Sequence, residues 1–207
     1  MSELGQTPIY FTLGGELIGV IGIADEIRSD SKDAVSKIKA LGARAVMLTG
    51  DNEKTAAAIA SRVGIDEVVA GVLPNGKAET VQKYRGGGVA MVGDGVNDAP
   101  ALATADVGIA IASGSDVAIE SADVVLIKHS VLGVCDAIKI SRRTIINIKE
   151  NLFWAFFYNV AAIPVAAGVF VPLGVTLTPM IAALAMSFSS LFVVLNALRL
   201  NWFYKDR

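Results

Sequence analysis

The chain has 207 residues, of which 18 are Lys or Arg and 20 are Asp or Glu, and its formal charge is −2. This balance excludes the strong basic surplus of a nucleic-acid-binding protein, while a single Cys and a single His exclude a disulfide framework and a Cys/His zinc cluster. The mean hydropathy of +0.55 is too high for a chain that water surrounds completely, so part of it is expected to lie in lipid.

Strands and helices are predicted to alternate along residues 1–148. Two apolar segments flank Gly14 and Gly15, which is the signal of a β-hairpin. Beyond it, short apolar runs alternate with segments of helical spacing that end at a glycine, as at Gly42 and Gly64. The predicted strands cover 45–48, 68–70, 89–92, 107–111 and 124–127, and the predicted helices cover 33–41, 53–63 and 77–85. This alternation is typical of a Rossmann-type α/β fold, in which a parallel sheet carries its chemistry at the carboxyl ends of the strands.

An uncharged segment predicts two membrane-spanning helices in a second domain, residues 149–207. No charged residue occurs between Glu150 and Arg199, and one crossing needs roughly 20 apolar residues. We therefore expect spans over about 151–171 and 179–199, the first continuing a helix that starts near Ser130. Lys and Arg flank both outer ends and the link near Pro172 has no charge, so both termini and residues 1–148 are predicted to face the cytoplasm.

Polar residues follow two of the predicted strands. Thr49, Gly50 and Asp51 close the strand over 45–48, where a hydroxyl and free backbone N–H groups suit a phosphate oxygen. The same residues are also ordinary turn formers. Lys77 is an isolated cation near the end of another strand, at the start of a predicted helix.

The segment Gly93–Pro100 is a more specific signal. Asp94, Asn97 and Asp98 come directly after a predicted buried strand, with glycine on both sides of Asp94. Carboxylate oxygens are the hard donors that Mg²⁺ uses, with water and phosphate completing its coordination. The sequence therefore predicts a magnesium site here, the alternative being an acidic loop without function.

These motifs together closely resemble the phosphorylation domain of P-type ATPases, which has the haloacid-dehalogenase-like fold. The resemblance rests on Thr49–Asn52, Lys77 and Gly93–Leu102, continues through 105–110 and 122–126, and covers almost the whole chain. It implies ATP and Mg²⁺ as cofactors, and it implies that residues 1–24 include the end of the nucleotide-binding region and its hinge. The implied roles are Mg²⁺ binding for Asp94 and Asp98, support of phosphate for Asn97, and binding of the transferred phosphoryl group for Thr49, Gly50, Asp51 and Lys77.

One motif of these ATPases does not occur in the sequence. They are phosphorylated on the Asp of a DKTGT motif, and no DKTGT is present here. The expectation is that the chain is the C-terminal portion of a longer pump, with a sheet that lacks the nucleophile-bearing strand. Its first partner would be the missing N-terminal portion, and the chain alone is expected to be inactive.

Residues within the two spans suggest the transported ion. Tyr158 and Asn159 lie in the first span, and Met186 and Ser190 share one face of the second. A thioether is a soft ligand that selects Cu(I), although Met also fills gaps in a core and Ser permits close helix packing. The pattern resembles the copper-transporting subgroup of heavy-metal ATPases, in which these positions line the ion path. Because zinc, cadmium and lead relatives carry an Asp in the last helix and this segment has no acid, Cu(I) or Ag(I) is favoured over Zn or Cd.

Two further functions stay open from the sequence. The chain is alternatively a non-catalytic membrane fragment of such a pump. It is alternatively a membrane-tethered phosphatase with Asp25 as nucleophile, although the second Asp of a DxD motif is absent after Asp25. In each case the expected location is a membrane, crossed more than once, with the cell membrane favoured.

Overall fold

The structure is a computed structural model that describes residues 7–23, 26–112, 114–176 and 178–205. Asp25 lies outside the described residues. The chain divides into two compact units, Met1–Asp136 and Ala137–Arg207. This division falls inside a long helix, which also contains the predicted domain boundary after residue 148.

The first unit begins with the predicted β-hairpin. Strands β1 (Thr7–Leu13) and β2 (Glu16–Ile23) pair antiparallel, which confirms the prediction. Gly14 and Gly15 connect them with φ values of 62° and 89°. A two-residue type I′ turn, whose twist matches that of the flanking strands, requires a positive φ at both central residues.

The five other strands among the described residues are all parallel, as predicted, and form two separately hydrogen-bonded sheets. Strand β3 (Val46–Leu48) pairs with β4 (Glu67–Val69). The second sheet has the order β5 (Ala90–Gly93), β6 (Val107–Ile111) and β7 (Val124–Leu126). Among the described residues, no strand pairs with the second edge of β3 or of β5.

In the described part of the first unit, five helices alternate with these strands. They are α1 (Ser31–Ala40), α2 (Glu53–Val63), α3 (Pro74–Tyr84), α4 (Ala99–Thr104) and α5 (Asp116–Glu120). Helix α2 has its predicted bounds because Asn52 accepts the Thr55 N–H and Gly64 ends the helix with a φ of 82°. Helix α3 begins earlier than predicted, since Pro74 suits a first helical position that needs no N–H.

The core of this unit brings α4 directly onto the backbone of β6. Leu102 is 1 % exposed, and a Cβ placed on Gly108 would lie 2.7 Å from the Leu102 carbonyl oxygen. Because α4 follows the acidic loop after β5, this packing fixes where the loop ends. Cys135 is 1 % exposed with its thiol directed at the Ala34 carbonyl, so it is a packed residue.

The second unit contains most of helix α6 (Leu132–Ala166) and helix α7 (Pro179–Lys205), with a 3₁₀ turn at Val171–Leu173 between them. Among the described residues, one helical segment, Pro179–Asn201, is by length and composition able to cross a membrane. Helix α6 ends at Ala166 and carries Asn151, Tyr158 and Asn159 within its uncharged part, which lowers its hydropathy. The first predicted span therefore stays a prediction.

Candidate functional site

The loop after β5 contains two carboxylates, of which Asp94 is accessible to solvent and Asp98 is largely buried and hydrogen bonded. The Lys77 ammonium donates a hydrogen bond to Asp98 Oδ1 at 2.7 Å, and the Gly95 N–H donates one to Asp98 Oδ2 at 3.2 Å. The side chains of Lys77 and Asp98 are only 16 % and 13 % exposed. Asp94 is 52 % exposed, and Arg28 lies 3.6 Å from its Oδ2. The engaged carboxylate fixes Lys77, while the accessible one is available to a ligand.

Two glycines allow the backbone to close around this loop. A Cβ on Gly93 would lie 2.7 Å from the Asp98 Cβ, so any side chain there would displace the Lys77–Asp98 pair. A Cβ on Gly114 would lie 2.3 Å from the Asp94 carbonyl oxygen, which also accepts the Ser115 N–H at 2.8 Å. The sequence interpretation missed the segment around Gly114, because nothing local indicates that it contacts a loop 20 residues earlier.

The Thr49 turn is ordered by hydrogen bonds of its own. The Thr49 hydroxyl donates to Asp51 Oδ2 at 2.9 Å and accepts the Asp51 N–H at 3.1 Å. The carbonyl oxygens of Thr49 and Asp51 accept N–H groups of Val72 and Gly71, at 3.0 and 2.8 Å. That segment leads directly into α3, which carries Lys77. Helix α3 thus connects the Thr49 turn to the Asp98 pair.

The donor set fits a magnesium ion that one carboxylate holds. The described residues contain no group of three or more His, Cys, Asp and Glu side chains that could enclose a metal. Mg²⁺ does not need such a cage, since it commonly binds one or two carboxylates and keeps water and phosphate as other ligands. Asp94 suits this role because it is accessible. Asp98 supports the site through Lys77, and Asn97 is exposed beside it.

The predicted ion-path residues lie on exposed or half-exposed parts of α6 and α7. Asn159 donates to the Ala155 carbonyl at 2.8 Å, and Ser190 donates to the Met186 carbonyl at 3.3 Å, so both bond within their own helix. Met186 is 61 % exposed, whereas Tyr158 is half-buried.

The resolved pKa shifts belong to structural contacts away from the loop. The Asp106 carboxylate accepts the Val89 N–H at 2.8 Å and pairs with Arg85, which lowers its pKa. The Tyr84 hydroxyl donates to Glu67, and this bond raises the pKa of the tyrosine. Asp106 thereby joins the starts of β5 and β6, below the site.

Family comparison identifies the fold of the first unit. A family model described as haloacid dehalogenase-like hydrolase matches residues 2–106, and a second model of the same description matches residues 80–138. The chain belongs to the haloacid dehalogenase-like hydrolases. The sheet and the loop after β5 lie within the matched residues, so the fold predicted from the motifs is confirmed.

Relatives of this haloacid dehalogenase-like chain are metal pumps. Copper-transporting ATPase 2 of Rhizobium meliloti (strain 1021) is 54 % identical over 95 % of the chain. The silver exporting P-type ATPase of Salmonella typhimurium is 51 % identical over 95 %. A crystal structure of a zinc-transporting PIB-type ATPase in the E2.Pi state matches with a TM-score of 0.82 and 39 % identity, covering 96 % of this chain and 32 % of that one. The resemblance to heavy-metal P-type ATPases is confirmed.

The match covers only part of each relative. The chain spans 24 % of the length of both the Rhizobium and the Salmonella protein. Both units take part in the similarity, because the matched 95 % of the chain exceeds the first unit alone.

Proposed function

We propose that this chain is the phosphoryl-transfer and membrane portion of an ATP-driven pump that transports Cu(I) or Ag(I). The observation that carries the proposal is identity above 50 % to a copper pump and a silver pump across both units. A family relationship limited to the first unit would support only a phosphohydrolase. The similarity of the second unit adds the membrane part.

The first unit contributes positioning and charge to phosphoryl transfer. Lys77, fixed by Asp98, supplies a cation, and the Thr49 turn supplies a hydroxyl and backbone N–H groups for phosphoryl oxygens. Asp94 would hold Mg²⁺, and the bound ion would neutralise charge on the phosphoryl oxygens. Phosphoryl transfer needs little more from a protein than such positioning and electrostatic stabilisation.

The phosphate acceptor comes from another part of the same pump. The sequence has no DKTGT, and the second edge of β3 and of β5 has no partner strand among the described residues. A strand that pairs there would end beside the polar residues that follow β3 and β5. Its Asp would attack the γ-phosphorus of ATP, release ADP and become an aspartyl phosphate. The chain alone would be inactive for that reason.

The second unit contributes the ion path. Met186 supplies a soft thioether, and Tyr158, Asn159 and Ser190 supply neutral oxygen and nitrogen donors. Absence of a carboxylate between Glu150 and Arg199 favours a monovalent soft ion over Zn²⁺. The 39 % identity to a zinc-transporting structure makes Zn²⁺ the alternative cargo. Residues 151–171 and 179–199 would cross the cell membrane, with residues 1–148 and both termini in the cytoplasm.

A chimera tests the proposal. The corresponding quarter of the Rhizobium copper-transporting ATPase 2 is replaced by all 207 residues, and the purified chimera is reconstituted in lipid vesicles. We expect phosphorylation by labelled ATP that Cu(I) or Ag(I) stimulates and Zn²⁺ does not. Stimulation by Zn²⁺ alone would reverse the assigned ion. A folded chimera without any metal-dependent phosphorylation would contradict the proposed function and favour a non-catalytic fragment.

A further inference from the structure

A cluster of polar side chains joins α6 to α7 where the charged part of each helix meets the uncharged part. Asn147, which is 4 % exposed, donates to the Asn196 carbonyl oxygen at 2.8 Å. The Asn196 side chain donates to Asn151 Oδ1 at 2.9 Å and to Glu150 Oε2 at 3.3 Å. Arg199 donates to the same Glu150 oxygen at 2.6 Å. These five residues are called the amide clamp below.

Residues of α6 in the amide clamp hydrogen bond to both the backbone and the side chain of Asn196 on α7, so the clamp fixes one register between the two helices. Asn147 recognises the main chain of Asn196, while Asn151 and Glu150 recognise its amide. A shift of α7 by one residue would leave the buried Asn147 amide without this acceptor. An unpaired buried polar group costs about 1–3 kcal/mol, so other registers are disfavoured.

The two helices continue from the clamp as an antiparallel pair. Their far ends, Ala166 and Pro179, are joined by residues 167–178. In a parallel pair these ends would lie on opposite sides of the clamp, roughly 50 Å apart at 1.5 Å per residue. That distance exceeds the reach of the link, which is about 45 Å even when fully extended.

Half-buried positions recur along both helices with helical spacing and continue the clamp. On α6 they are Asn151, Ala155, Tyr158, Ala162 and Val165, and on α7 they are Ala182, Ala185, Ser189, Val193 and Asn196. Tyr158 and Ser189 each lie seven residues from the Asn151–Asn196 contact. The register set at the clamp therefore predicts that Tyr158 lies level with Ser189 along the line of these half-buried positions, which is called the seam below.

The ion-path residues follow from this seam. Asn159 and Ser190 each come one residue after a seam position, and Met186 comes three before Ser189. In a pair of antiparallel helices, the residue that follows a seam position points about 100° away from the seam, and on both helices it points to the same side of the pair. A residue three positions before a seam position on α7 points within about 40° of that side. Asn159, Met186 and Ser190 thus share one side within about 6 Å of depth, or one helical turn, which agrees with their exposure.

We propose that the amide clamp is a positioning device for the ion path: it sets the register that brings Asn159, Met186 and Ser190 to one face of the α6–α7 pair. Its residues do not touch the ion, since they lie at least six residues, or about 9 Å, along the helices from the nearest of the three. The ion-binding part of this inference rests on the proposed function. The register itself does not.

Cysteine cross-linking measures the register without any transport activity. Cysteines are introduced at Ala162 and Ala185, which lie level in the seam, or at Ala162 and Ser189, which are one turn out of register. The full chain, with Cys135 replaced by Ala, is oxidised with iodine in detergent micelles. We expect the 162–185 pair to link at least about five times faster, because a disulfide tolerates Cα separations only up to roughly 7 Å.

Charge substitution then opens the clamp. Asn196→Asp places a carboxylate against Glu150 and removes both amide donors, whereas adding Glu150→Gln restores a donor and removes the repulsion. Asn201→Asp is the matched control, since Asn201 is an exposed Asn on the same helix. We expect Asn196→Asp to abolish the preference for the 162–185 link, the double variant to recover it, and the control to retain it. An unchanged preference in Asn196→Asp would overturn the clamp.

The same variants in the chimera connect register to ion binding. Asn196→Asp should raise the Cu(I) concentration for half-maximal phosphorylation by about ten- to a hundredfold, as loss of a group that orients ligands does, and Glu150→Gln should reverse the shift. Phosphorylation from inorganic phosphate, which needs no bound ion, should persist. If Asn196→Asp abolishes the preference for the 162–185 link but leaves the Cu(I) concentration for half-maximal phosphorylation unchanged, the positioning role is overturned. If the unmodified chimera shows no Cu(I) response, the proposed function fails, and the cross-links still decide the register.

Discussion

The loop after β5 and the amide clamp each contain hydrogen-bonded polar side chains, which in the loop lie beside a candidate Mg²⁺ ligand and in the clamp lie on the helices of the proposed ion path. In the loop, the Lys77–Asp98 pair is largely buried and leaves Asp94 accessible beside it. In the clamp, Asn196 and Glu150 are engaged and leave Asn159 and Met186 exposed farther along the helices. In each unit, largely buried or hydrogen-bonded polar side chains lie on the same element as more exposed candidate site residues. The predictions below separate the positioning residues from the acting ones.

Removing the accessible carboxylate is expected to have the largest effect. Asp94→Asn in the chimera should lower the rate of phosphorylation by about a thousandfold, since a bound metal contributes several kcal/mol to such transfers. Because Asp94 is 52 % exposed, the free energy of unfolding should change by less than about 0.5 kcal/mol. Rapid-quench labelling and urea unfolding measure the two quantities. Near-normal phosphorylation would remove Asp94 from the site.

Removing Lys77 should act on stability as well as on phosphoryl transfer, to which it supplies a cation. Lys77→Met leaves Asp98 without its cation and should cost about 3 kcal/mol of unfolding free energy. Lys83→Met, an exposed lysine on the same helix, is the control and should change it by less than about 0.5 kcal/mol. Equal, small effects of the two variants in urea unfolding would show that the pair does not hold the loop.

In the second unit, removing a proposed ion ligand such as Met186 should change the Cu(I) dependence of phosphorylation and leave stability nearly unchanged. Met186→Leu keeps the volume and removes the thioether, so its cost in stability should stay under about 1.5 kcal/mol. The Cu(I) concentration for half-maximal phosphorylation of the chimera should rise at least about tenfold. Met180→Leu, on the same helix and 71 % exposed, is the matched control. Indistinguishable Cu(I) responses would make Met186 a packing residue.

The smallest effect concerns a structural carboxylate below the site. The Val89 N–H and Arg85 lower the pKa of Asp106, so its ionised form stabilises the folded state. This contribution is present above the ordinary pKa of an aspartate and is lost as the pH falls through the lowered value. Asp106→Asn should therefore be less stable than the parent at pH 7, and the difference should disappear well below about pH 4. A difference that persists unchanged at low pH would exclude the charge as its cause.

Local signals predicted most of the elements. Asn52 and Gly64 mark the ends of α2, and the glycine pair marks the first hairpin. Helices α4 and α5 are too short to show a period, and they were not predicted. The separation of β3–β4 from β5–β7 follows from pairing between distant segments, which no local pattern records.

The sequence names candidate site residues but not their contacts. From the loop between Gly93 and Pro100 it predicts Mg²⁺ binding for both Asp94 and Asp98, and this assignment stays a prediction. The structure engages Asp98 with Lys77, 21 residues away, and it brings Arg28, 66 residues away, and Gly114, 20 residues away, to Asp94. The partners of Asn196 in the clamp are 45 to 49 residues distant. Whether a polar residue acts or positions depends on such partners, and only the fold brings them together.

The central claim, that this chain serves an acceptor it does not contain, is tested most directly by locating the phosphate. The chimera is phosphorylated with ATP in the presence of Mg²⁺ and Cu(I), quenched in acid, digested and analysed by mass spectrometry, and the 207-residue chain is treated in the same way. The account predicts an acyl phosphate in the part that comes from the Rhizobium relative and none on the chain alone. An acid-stable phosphate on an Asp within residues 1–207 would contradict it.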